Sequence, residues 1–181
     1  MVLERLNNNM HNDFDYIFSL MQNDDIAGLK ECAEIIDGFP AGNDEFVDRQ
    51  WIVNAIDAGS KATVEWMLEF KIDLNYIDDE GYSAVHAAIE SGEIEILELL
   101  LKSGANPNIG MDNSYVCVNG WSPAHMAAAH NEVKALDLLK ENGADFTLRT
   151  PIDDYTTPYE EAVLLQKTKS IKWFERNKLA K

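Results

Sequence analysis

A chain of 181 residues with 46% apolar and 26% charged side chains is long enough for one sizeable core or a short repeat array, and too apolar for a disordered segment. Its formal charge of −17 excludes a general affinity for nucleic-acid phosphates or anionic membranes and speeds encounter with a basic partner. No apolar run approaches a signal-peptide core or the roughly 20 residues of a membrane span, so the expectation is a soluble, cytoplasmic protein in which Cys32 and Cys117 are reduced thiols.

The chain opens with a candidate capping segment, residues 1–43, in which Asp13–Gln22 and Ile26–Ile36 read as two short helices. Ile26, Leu29 and Ala33 keep helical spacing, while Asp13, Asp15, Asp24 and Asp25 suit a polar outer face. Residues 44–76 contain VNAIDAGSKATVEWMLEFKIDLN, a helix pair broken at Gly59. Residues 77–109 hold GYSAVHAAIESGEIEILELLLKSGANPN, and residues 116–148 hold GWSPAHMAAAHNEVKALDLLKENGADFT, which aligns to it without gaps. Ser83 and Ser122 are placed to cap a new helix, and Pro123 falls in the first turn, where a missing N–H costs nothing. Ile94, Leu97, Leu100 and Leu101 form an apolar stripe, and Gly104 and Gly143 supply left-handed stops.

The two central units are offset by 39 residues. The surplus lies in the connection 109–119, where Tyr115, Val116 and Val118 are expected to form a short β-ribbon. Residues 149–181 begin with the turn-rich PIDDYT, restart the helix with TPYEEAVLL, and end with Ile171, Trp173 and Phe174 expected to pack inward. The charge is uneven: residues 1–100 carry 22 acidic and 5 basic side chains, whereas residues 101–181 carry ten of each. Beyond Gln166 the sign reverses, with Lys167, Lys169, Lys172, Arg176, Lys178 and Lys181 facing only Glu175.

The units that begin GYSAVHAAIESG and GWSPAHMAAAHN and end LLLKSGA and LLKENGA resemble the ankyrin repeat, whose unit of about 33 residues carries G-x-T-P-L-H-x-A-A-x-x-G, an apolar helix and L-L-x-x-G-A-x-x-N. The resemblance covers roughly 44–175. It implies an all-α solenoid of about five helix-turn-helix units across a single domain, 1–181, with β-turn fingers and capping helices at both ends. It also implies a function: binding another protein through an acidic concave face and fingers, by way of the finger tips and the exposed side of the first helices. Carried onto this sequence, those positions are Asp57, Asp79, Glu80, Tyr82, Glu90, Ser91, Asn119, Trp121, His130, Asp153 and Asp154, with Asp112 and Tyr115 in the inserted finger. Aromatic Tyr82 and Trp121 among carboxylates suit a basic partner protein. A small, strongly acidic chain of this type looks like the immunity proteins that neutralise a basic toxin or effector. An adaptor or regulatory subunit is the main alternative. The free chain is expected to be a monomer.

Catalytic signatures are weak. Gly120–Ala124 is not a nucleophile elbow, because the second glycine and the preceding strand are missing. His125 and His130 point about 140° apart on a helix, which does not suit two ligands of one metal. No phosphate-binding loop, dinucleotide fingerprint or HExxH motif occurs, and no cofactor or metal is expected. A small enzyme is therefore the distant third reading.

Overall fold

The structure is a computed structural model that describes residues 10–44, 49–78, 81–110, 120–150 and 155–180, with side chains along the first helix described from Phe14 onward. Among these residues ten helices form: α1 Met10–Gln22, α2 Ile26–Ala33, α3 Trp51–Asp57, α4 Lys61–Met67, α5 Ala84–Glu90, α6 Ile94–Lys102, α7 Pro123–Ala129, α8 Val133–Glu141, α9 Pro158–Leu164 and α10 Thr168–Arg176. A two-stranded antiparallel finger, β1 Asn43–Asp44 and β2 Arg49–Gln50, precedes α3 and pairs Asn43 with Gln50 and Asp44 with Arg49. Consecutive helices pack in pairs, as helix-turn-helix units require. The chain divides into two compact units, Met1–Asp73 and Leu74–Lys181.

In the first unit α1 lies against α2 and α3, and α2 against α4. Asp25 caps α2 by accepting from the Gly28 N–H at 3.0 Å. A Cβ at Gly28 would sit 2.8 Å from Leu20 Cδ2, so a larger residue there would have to push that side chain aside. Helix α2 is shorter than the expected Ile26–Ile36. After Ala33 the N–H groups of Ile35 and Ile36 both turn back to the Cys32 carbonyl, and Ile35 faces solvent, so no burial draws the helix onward. Ile17, Met21, Leu29, Ile52, Ile56, Val64 and Met67 fill the core, with Phe39 edge-on to Trp51 at 5.2 Å.

In the second unit first helices stack on first helices, α5 on α7 and α7 on α9, while second helices stack α6 on α8 and α8 on α10. Ser83, Ser122 and Thr157 cap α5, α7 and α9 through their side-chain oxygens, and Pro123 and Pro158 occupy the first turns. The apolar stripe is buried between layers by Ile89, Ile96, Leu97, Leu100, Leu136 and Leu139, and the far end is closed by Trp173 and Phe174 around Phe146. Ile171, expected to pack inward with those aromatics, is only half-buried. Its counterparts Leu97 and Leu136 are covered by the following helix pair, and no described element covers Ile171.

Between the helices of each repeat the chain needs one left-handed residue. Gly92 supplies it at φ 72°, and Asn131 takes the same place at φ 63°. Asn131 then does more than turn the chain. Its Oδ1 accepts the N–H groups of Lys169 and Ser170, each at 3.0 Å, and so caps α10, whose own cap residue Lys167 makes no side-chain cap.

Candidate partner-binding site

The described backbone that leads from each finger into the next first helix of the second unit is held by the buried histidines of the first helices. His86 and His125 are fully inaccessible. His86 Nε2 lies 3.2 Å from the Trp121 carbonyl, and His125 Nε2 lies 2.9 Å from the Thr156 carbonyl. A carbonyl only accepts, so Nε2 carries the proton and Nδ1 is the acceptor. The Ser83 hydroxyl donates to His86 Nδ1 at 2.9 Å, and the Ser122 hydroxyl donates to His125 Nδ1 at 2.8 Å. Both ring nitrogens are therefore satisfied in the neutral form. Burial pushes the pKa of each down to about 4, opposed by the hydrogen bond to the carbonyl. The histidine at the start of α5 and of α7 thus braces its own turn and fixes the backbone at the entry to the next first helix.

A second set of rungs runs beside the first. Asn75 Oδ1 accepts from the Asn106 N–H at 2.9 Å, and Asn108 Oδ1 accepts from the Asp145 N–H at 2.8 Å. Both sets stop in the last repeat. Glu160 stands at the histidine position and closes a capping box with Thr157. Its carboxylate also takes Arg149 at 2.7 and 3.3 Å, and the Thr157 N–H and Arg149 hold its pKa below the usual carboxylate value. A cleft of about 330 Å³ opens between Phe146, Thr147, Arg149, Thr157, Lys178 and Leu179, but its guanidinium is already engaged by Glu160 and the Tyr155 carbonyl. Among the described residues no group of three or more histidines, cysteines or acidic residues is placed to hold a metal ion.

This frame positions the expected contact residues unevenly. Tyr82 is half-buried at the finger base, where its N–H donates to Asp78 Oδ1 at 2.7 Å and its ring lies 6.0 Å from that of His86. The Tyr82 hydroxyl donates to the Glu90 carboxylate, joining the finger to the exposed end of α5. Trp121 occupies the equivalent place in the next repeat, half-buried, with its carbonyl held by His86. Ser91 and His130 are exposed C-terminal caps of α5 and α7. Asp57 belongs to the first unit, where it ends α3 and pairs with Arg49 at 2.9 Å. Asp79, Glu80, Asp112, Tyr115, Asn119, Asp153 and Asp154, with Cys117 and the ribbon residues Val116 and Val118, lie outside the described residues.

Two residues that the sequence reading passed over belong to the same row. Because α5, α7 and α9 stack in register, the pairs Glu90–Ser91 and Ala129–His130 continue into Leu164–Leu165. Leu164 is 55% and Leu165 43% exposed. Aligning TPYEEAVLL onto the positions already chosen in the central repeats is the signal that finds them.

Comparison with known proteins agrees with the repeat geometry. A family model described as ankyrin repeats in three copies matches residues 27–111 and 54–150. The 2-5A-dependent ribonuclease of Mus musculus is 32% identical to this chain over 62 residues, a stretch that makes up 34% of this chain and 8% of that protein. The chain spans only this small part of the relative's length. With helix pairs stacked in register, histidine-braced fingers and a family match over more than half its residues, the chain belongs to the ankyrin-repeat family.

Proposed function

We propose that the chain binds another protein through the fingers and first-helix ends of its second unit, and that this partner presents a basic surface. The observation that carries the reading is the junction of Tyr82 with Glu90: an aromatic ring and a carboxylate are joined on the surface of a rigid frame, the arrangement a basic side chain or its flanking apolar stem can use. The acidic surplus of residues 1–100 adds long-range attraction for such a partner. In its sharper form the partner is a basic toxin or effector of the cytoplasm that the chain neutralises by covering it stoichiometrically.

The test is affinity capture with the full chain, followed by titration of the captured protein's own activity. A neutraliser abolishes that activity at equimolar ratio. Binding should weaken as salt rises and should fall on Glu90→Lys, because surface charge pairs are screened. A partner whose affinity ignores both salt and this replacement would refute the acidic-face reading.

A second reading is favoured by the similarity to a short part of a much longer ribonuclease: a regulatory or adaptor segment of a larger assembly. An adaptor holds two proteins at once and leaves their activities intact, which the same titration distinguishes.

A further inference from the structure

The exposed row along the ends of the first helices changes chemistry from one side to the other. Glu90 and Ser91 begin it, with the Glu90 carboxylate held by Tyr82. Ala129, 3% exposed, and His130 form a low middle. Leu164 and Leu165 end it, and Val163 beside them is 46% exposed although its counterparts Ile89 and Ala128 are fully buried. Immediately beyond come half-buried Lys167 and exposed Lys169. Three consecutive apolar side chains left in water are informative where a single one is not.

We infer that this row docks one polypeptide segment of the partner, basic over Glu90 and apolar over Leu164–Leu165. The inference rests on the protein-binding reading above and adds the chemistry and direction of the bound segment. Direction follows from charge: Lys167 and Lys169 repel a basic end from the leucine side, and Glu90 attracts it to the other. Span follows from packing. Neighbouring helix axes lie about 8–10 Å apart, so two steps from α5 to α9 cover about 20 Å, the length of about six extended residues. A second copy of this chain, on a two-fold axis through the middle of the row, would set each Glu90 against the other copy's leucines and the Lys167 and Lys169 beside them, so self-association is the competing occupant that the experiment tests.

The experiment is selection of short random peptides on the immobilised full-length chain. Enriched peptides are then synthesised and their affinities measured by fluorescence anisotropy for the wild type, Glu90→Lys and Leu164→Ser/Leu165→Ser. Circular dichroism and thermal melting check that each variant is folded, which replacement of solvent-exposed leucines should preserve. The expected peptides pair a lysine or arginine with an apolar pair about six residues away, and each variant weakens them at least about tenfold. High salt should erase the effect of Glu90→Lys and leave that of the leucine replacement.

If selected peptides lose affinity with Glu90→Lys but ignore the leucine replacement, the two-ended segment is rejected while the acidic binding face survives. If they ignore both, both readings fall. A dimer of the free chain that Leu164→Ser/Leu165→Ser dissolves would also overturn the inference, by giving the leucines another occupant.

Discussion

The carbonyl of Trp121 is held 3.2 Å from Nε2 of His86, one repeat upstream, so a candidate contact residue is positioned by a buried side chain that no partner can touch. Replacing His86 by alanine leaves that carbonyl and the Ser83 hydroxyl without their partner and opens a cavity. The expected loss is about 2–4 kcal/mol of stability in urea unfolding, with faster hydrogen exchange at the start of α7. Partner affinity should fall as well, through misplacement of Trp121.

Acid should destabilise the second unit through the same histidines. Their pKa values fall from an unfolded 6.5 to about 4, so between these limits the unfolded chain binds more protons than the folded one. Their contribution is complete above pH 6.5 and is lost as the pH drops toward 4. Going from pH 7 to pH 5 should remove on the order of 2 kcal/mol per histidine. Chemical denaturation at both pH values checks this, and His86→Gln/His125→Gln should flatten the dependence.

Asn131 separates a backbone role from a capping role. Asn131→Gly keeps the left-handed turn but removes the acceptor for the Lys169 and Ser170 N–H groups, and should cost about 1 kcal/mol. Asn131→Ala loses the acceptor and also lacks the tolerance of glycine and asparagine for φ 63°, so it should cost about 1–2 kcal/mol more than Asn131→Gly. Thermal unfolding of the two variants measures the difference, with the α10 amides exchanging faster in each.

Tyr82→Phe keeps the ring and removes only the donor to Glu90. Stability should change by no more than about 0.5 kcal/mol, since the pair is exposed. Partner affinity should drop several-fold, and less than on Trp121→Ala, which removes a whole aromatic surface. Equilibrium unfolding and binding titrations on the same preparations separate the two effects.

Local chemistry made much of this legible from sequence. Ser83, Ser122 and Pro123 mark helix starts because caps and first turns depend on a few adjacent residues, and the glycines mark turns for the same reason. Exposure depends instead on the neighbouring repeat. Ile89 and Val163 occupy one position in the repeat, yet the first is buried by α7 and the second has no described helix over it. The same difference leaves Ile171 half-buried, whereas Leu164 and Leu165 escape a reading by residue type because they are apolar at repeat positions that hold Glu90, Ser91 and His130 in the central repeats. The bridges of Asn131 and His86 cross 38 and 35 positions, a separation at which no local pattern speaks.

The bridging side chains also give the array a polarity. Asn75, His86, Asn108, His125 and Asn131 each reach from their own repeat to the backbone of the next. Stripping repeats from the C-terminal side exposes side chains that water can satisfy. Stripping them from the N-terminal side takes away the partners that complete the following finger, so the loosening caused by one lost rung should travel toward the C-terminus.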